Sequence, residues 1–261
     1  MAAPGGHDIG LPQGQGKHMR VTQVRGGFLR VMDRMLHAGA HPATPDVHAV
    51  DQLPPFLEVL RRLRRLGHHD GSALAIRQRF HADMADFRPS TPANGAPLTV
   101  FFHGGGFIMG DLDTHDDACR VLCRASGVPL LSVAYRLAPE APFPAAVDDA
   151  MDSARWALMQ LDGWGANGLA LGGDSAGANL AAVTAGTAPA LIVTGGYDML
   201  KDEGDAYGRH LLRAHVPVRR LHFPRLGHAF INLSSVHRES REAVTQVARQ
   251  WRELALSSPR N

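Results

Sequence analysis

Apolar positions change period along the chain, and each change predicts an element. Phe28, Met32, Met35 and Leu36 recur at helical spacing, as do Leu57, Leu60 and Leu63. Arg61, Arg62, Arg64 and Arg65 surround the second stripe. A basic amphipathic helix of this kind could lie on a membrane or a nucleic acid, but the plainer reading is a packed helix with a solvated arginine face. From about residue 73 the pattern turns to strands. Residues 74–88 suit one or two antiparallel strands, and 97–103 (PLTVFFH) is a short apolar β run. A helix over 113–127 and a strand over 128–135 follow. The helix 145–161 then carries Val147, Met151, Ala154, Trp156 and Leu158 among its apolar positions. A strand over 168–172 feeds a helix that runs to about 186. Next come a strand over 190–194, a helix over 202–214, a strand over 216–223 and a closing helix over 239–256. Strands alternating with helices predict an α/β fold whose mostly parallel sheet is flanked by helices. No internal repeat is apparent.

The bulk numbers narrow the partners. A chain of 261 residues, 44% apolar and 20% charged, suits one large α/β domain. Its formal charge of +2 carries no long single-sign block, so no nucleic-acid partner is expected. Residues 1–20 are rich in Gly, Pro, Gln and His and lack a secretory apolar core, and no stretch approaches the ~20 apolar residues of a membrane span. A cytoplasmic protein with a frayed tail over 1–20 is the expectation. The fifteen histidines include no H-E-x-x-H pair, and His68-His69-Asp70 reads as a solvated turn rather than a metal site. Cys119 and Cys123, four apart on a helix, read as free thiols.

Two short segments carry chemistry. Gly173-Asp174-Ser175-Ala176-Gly177 follows the run Leu169-Ala170-Leu171 and opens a small-residue helix. A G-x-S-x-G alone is weak, but strand before and helix after is the context of a nucleophile elbow. Glycines at 173 and 177 remove side chains that would collide where strand meets helix. Ser175 then sits at a helix N-terminus, which favours negative charge. A serine needs a base, and the base an orienting carboxylate. Asp198 lies on the loop leaving one strand, and His228 on the loop leaving the next. Asp202, Glu203 and Asp205 are the other acids in range, and His222 and His237 the other histidines. Upstream, His103-Gly104-Gly105-Gly106 directly follows an apolar strand. The N–H groups of Gly105, Gly106 and Ala176 are candidates for an oxyanion hole.

These motifs resemble the hormone-sensitive-lipase-like branch of the α/β-hydrolases, bacterial carboxylesterases with HGGG and GDSAG signatures. Tyr135-Arg136-Leu137-Ala138-Pro139-Glu140, Phe143-Pro144-Ala145-Ala146 and Asp149 match the family's next block, and Asp198, Asp202-Glu203-Gly204, Tyr207 and Gly227-His228 its C-terminal one. The likeness covers about residues 97–232. It implies a helical cap segment over 21–72 and a catalytic domain over 73–261. It also implies an esterase with Ser175, His228 and Asp198 as its triad, needing no metal or cofactor and acting on small short-acyl esters. Pairing of two copies through the last strand and helix is a further implication. An amide or lactone hydrolase with the same triad, or a non-catalytic small-molecule binder on this fold, are the alternatives.

The chain departs from that family in one respect. Ser175 and Asp198 are 23 positions apart (198 − 175), far fewer than in family members. One sheet strand and the second part of the cap lack residues to form them. Closing the sheet over a missing strand would move the later strands inward by about 4.8 Å. Two outcomes are open. Either the sheet closes with fewer strands around a shallow site, or a gap persists, leaving apolar strand surface bare and activity poor.

Overall fold

The structure, a computed structural model, describes residues 83–186 and 188–257. The tail over 1–20, the cap segment over 21–72, both N-terminal helical stripes and the His68-His69-Asp70 turn lie outside the described residues.

Strand β2 (Leu98–Phe102) is buried at all five positions, as expected of an apolar run covered on both faces. It pairs in parallel with β3 (Leu130–Ala134) on one side and β4 (Leu169–Gly173) on the other. β1 (Asp83–Phe87) adds an antiparallel edge on β3, giving the order β1-β3-β2-β4. Successive β2 side chains serve opposite layers. Leu98, Val100 and Phe102 meet Leu131, Val133 and Leu180, together with Ala150 and Ala157 of helix α2 (Ala145–Met159). Phe101 faces the other way, toward Cys119, Leu122 and Cys123 of α1 (Asp116–Ser126) and Val244 and Ala248 of the last helix. Both cysteines are free and buried, and burial pushes the Cys123 thiol up to about 11. Helix α1 has Asp116 and Asp117 in its first turn and stops at Gly127. That glycine's N–H still donates to the Cys123 carbonyl, and its left-handed φ of 68° turns the chain out of the helix. After α2 comes the short α3 (Leu161–Trp164), which leads into β4, and α4 (Ala176–Ala185) leaves it.

The remaining strands form a sheet of their own. β5 (Ala190–Tyr197) and β6 (Val218–Gly227) run parallel, Ala190 opposite Val218, with a bulge between Gly195 and Tyr197. Helix α5 (Lys201–Arg213) lies on one face, Gly204 and Gly208 admitting the side chains of Thr194 and Ile192. Both strands outrun their predicted ends at 194 and 223. Gly195, Gly196 and Pro224 read as breakers, yet the two glycines let the β6 backbone at Pro224–Gly227 approach closely, where any Cβ would collide.

Among the described residues β4 and β5 share no ladder, and each ends its sheet. The sheet therefore does not close over the missing strand, and the inward shift does not occur. The β5–β6 pair is held by helix α6 (Arg238–Ser257), which packs on α1 and also reaches β5 and β6. All five β4 residues, and Ala190 to Val193 of β5, remain half-exposed in consequence.

Candidate active site

Ser175 occupies the turn between β4 and α4 with φ 52° and ψ −119°, a conformation strained for a side-chain-bearing residue. The elbow is tight enough that a Cβ on Gly177 would run into the Phe102 carbonyl, and one on Gly173 into the Gly177 backbone. Asp198 is the first residue past β5 and His228 the first past β6, so the parallel ladder delivers both to one end. The Ser175 hydroxyl donates to His228 Nε2 over 2.9 Å, and His228 Nδ1–H donates to Asp198 Oδ1 over 2.7 Å. The same Oδ1 accepts the Leu200 N–H at 2.8 Å, which fixes the carboxylate. All three side chains named from the sequence thus meet across the break between the sheets.

Four of the other candidates are engaged elsewhere. Asp202 pairs with Lys201 at the surface, and Asp205 with Lys201 and Arg220. His222 bonds the Thr194 hydroxyl at 3.0 Å and His237 the Ser240 hydroxyl at 2.9 Å.

The glycine loop leaves β2 beside the elbow. Gly104 N–H donates to Asp174 Oδ1 over 2.9 Å, so the residue before the serine ties the loop to the elbow. The fit requires glycine, because a Cβ at 104 would collide with Asp174 Oδ2. Gly105 and Gly106 follow with φ of 121° and 62°, and Ala176 opens α4. Behind the loop, the buried His103 ring stacks on Tyr135 with centroids 4.3 Å apart. His103 Nδ1–H donates to the Gly104 carbonyl at 2.7 Å, and the Tyr135 hydroxyl donates to the His103 carbonyl at 2.7 Å. Burial, helped by the nearby His115, pulls the His103 pKa down to about 4, so the ring is neutral. Ala138 N–H donates to the Phe107 carbonyl, and Arg136 grips the buried Asp149 with Nη2 at 2.7 Å. The block from Tyr135 to Asp149 therefore backs the glycine loop.

One buried histidine in this network, His115, was not among the residues that the sequence singled out. It sits in a polar run, Thr114-His115-Asp116-Asp117, where neither periodicity nor motif marks it. Among the described residues no three His, Cys, Asp or Glu side chains group to hold a metal ion, and no helix is long and apolar enough to cross a membrane.

A profile described as alpha/beta hydrolase fold matches residues 99–188 and 184–232. The chain belongs to that family. It is 33% identical over 227 aligned residues to the carboxylic ester hydrolase LipN of Mycobacterium tuberculosis, covering 56% of this chain and 60% of LipN. The ethyl acetate hydrolase of Pseudomonas putida is 28% identical over 255 residues, 68% of this chain and 78% of that protein. In three dimensions the chain resembles an esterase of Pyrobaculum calidifontis, with TM-score 0.65 and 28% identity over 87% of this chain and 99% of the other. The chain spans less than two thirds of LipN's length. The profile match breaks into two pieces at 184–188, between Ser175 and Asp198, where the sheet is interrupted.

Proposed function

We propose that this chain is a serine carboxylesterase that hydrolyses small, short-acyl esters through a Ser175–His228–Asp198 triad. His228 Nε2 takes the hydroxyl proton as Ser175 Oγ attacks the ester carbonyl. Asp198 keeps the Nδ1–H tautomer in place and stabilises the imidazolium that forms. The N–H groups of Gly105, Gly106 and Ala176 receive the oxyanion, each well-aimed donor contributing about 2.7–4 kcal/mol to the transition state. Collapse breaks the ester C–O bond, and the His228 proton leaves with the alcohol. Water, deprotonated by the same imidazole, then attacks the acyl-serine and releases the acid.

The observation that carries this reading is the unbroken hydrogen-bond chain from Ser175 through His228 to Asp198, at 2.9 and 2.7 Å. The name of one relative, the ethyl acetate hydrolase, favours a small ester. The test compares wild-type protein with Ser175→Ala on p-nitrophenyl acetate and butyrate, alongside labelling by a fluorophosphonate. Saturable hydrolysis and labelling that both vanish in the variant are expected. Equal rates from the two proteins would overturn the assignment.

A further inference from the structure

The phenol of Tyr135 has no part in the steps above, yet it grips the peptide from which the glycine loop departs. Tyr135 is the first residue past β3 and is 2% exposed, so it does not meet a substrate. Its hydroxyl oxygen lies 2.7 Å from the His103 carbonyl oxygen. A carbonyl can only accept, so the phenol is the donor. Burial raises the Tyr135 pKa above its ordinary value, which keeps the hydroxyl hydrogen in place at neutral pH.

In a trans peptide the N–H points opposite to the C=O that shares its plane. A group that grips a carbonyl therefore also aims the next amide. The His103–Gly104 plane is gripped at both ends. Tyr135 holds its carbonyl, while its Gly104 N–H meets Asp174 Oδ1 at 2.9 Å and His115 Nε2 at 3.3 Å. In the next plane the Gly104 carbonyl accepts His103 Nδ1–H at 2.7 Å, which turns Gly105 N–H the other way. In the third, the Gly105 carbonyl accepts the Ile108 and Met109 amides at 3.1 and 3.0 Å, which turns Gly106 N–H away from that turn. The two amides facing away from these grips are those of Gly105 and Gly106, the candidate oxyanion donors. Tyr135 acts on two of the three planes. Its hydroxyl fixes the first, and its ring stacks at 14° on the His103 imidazole that holds the second. His103 Nε2 is buried without a hydrogen-bond partner among the described residues, so the stack and Nδ1 together orient that ring.

We propose that Tyr135 is a positioning residue for the oxyanion hole: its hydroxyl locks the His103–Gly104 peptide, and through it the directions of the Gly105 and Gly106 amides. This proposal rests on the esterase reading. Without the phenol's hydrogen the first peptide rocks and the amides after it lose their aim. That costs transition-state binding and leaves substrate binding alone.

The experiment measures kcat and KM on p-nitrophenyl butyrate for wild type, Tyr135→Phe and Tyr135→4-aminophenylalanine, each per fluorophosphonate-titrated site so that unfolded molecules do not count. Phenylalanine keeps the stack and removes only the donor; the aniline returns an N–H at the same place. Tyr135→Phe should lower kcat about tenfold with KM held within about twofold, and the amino analogue should recover most of the loss. The Ki of a trifluoromethyl ketone, whose hemiketal oxyanion fills the same hole, should rise in Tyr135→Phe by about the factor that kcat falls. An unchanged kcat or Ki in Tyr135→Phe, or an amino analogue as slow as that variant, would overturn the proposal. A second readout needs no variant. In wild-type protein the Tyr135 hydroxyl proton should give a slowly exchanging NMR signal that shifts when the ketone binds. Absence of that signal, or its indifference to the ketone, would also overturn it. Wild-type protein without Ser175-dependent hydrolysis would instead defeat the esterase reading, leaving the phenol–carbonyl link to be judged by the presence of this signal.

Discussion

His228 Nδ1–H donates to Asp198 over 2.7 Å within the two-stranded sheet, while its Nε2 accepts from a serine carried by the four-stranded one. The imidazole is thus a bridge between two ladders that share no backbone pairing. Strands β5 and β6 travel as a unit, so their loops stay matched to each other. The packing of α6 on α1 sets where that unit sits relative to Ser175.

On the proposed mechanism Asp198 is the acid, and this can be checked. Asp198→Asn should lower kcat/KM by roughly 10³–10⁴-fold, because an amide no longer enforces the tautomer that leaves Nε2 free to take the serine proton. Asp202→Asn should change it by less than about twofold, since Asp202 only pairs with Lys201 in solvent. Steady-state kinetics on p-nitrophenyl butyrate would separate the two, and a larger loss from Asp202→Asn would reassign the acid.

Gly104→Ala should cost stability as well as rate. Its methyl group would collide with Asp174 Oδ2, forcing apart the loop and the turn that the carboxylate joins. Overpacking of this kind costs about 1–3 kcal/mol. Urea unfolding at pH 7.5 measures the loss, and an unchanged midpoint would show that the loop yields freely.

Acid should weaken the fold through His103. In the unfolded chain this imidazole takes its proton near 6.5, whereas burial holds it neutral until about 4 in the native state. The unfolded state then binds the extra proton between those values, so stability present above pH 6.5 drains away as pH falls toward 4. The amount is on the order of 3 kcal/mol. Urea unfolding across pH 4–8 should show a shallower acid-side decline in His103→Asn than in wild type. Parallel curves would contradict this.

The break between the ladders predicts uneven hydrogen exchange. Amides on the unpaired edges of β4 and β5 should exchange at least about a hundredfold faster than those of β2 and β3, which are paired on both sides. Exchange followed by NMR at low protein concentration reads this directly, and equal protection across all four strands would refute it.

The parts legible in the sequence were those written in consecutive residues. The elbow announces itself because Gly173, Ser175 and Gly177 each answer a local steric demand. Asp198 and His228 follow from chain order, since each lies a few residues past the predicted end of a strand downstream of the serine. His115 was hidden because its contacts are with residues 174 and 104, far away in the chain. Tyr135 was visible only as part of a familiar block; its stacking on His103 is a tertiary fact. The short interval from Ser175 to Asp198 pointed to a missing strand. Whether the sheet would close or stay parted turned on α6, whose packing no local pattern reveals.

The Ser175–His228 hydrogen bond also has a mechanical meaning. Once an acyl group is esterified to Ser175, that oxygen has no hydrogen left to offer the imidazole, and a tie across the two ladders is released. On the proposed mechanism, cohesion of the molecule would fluctuate with turnover, tightest in the resting enzyme and slackest while the ester intermediate awaits water. A slowly deacylating substrate would therefore act as a mild loosening agent for the very protein that processes it.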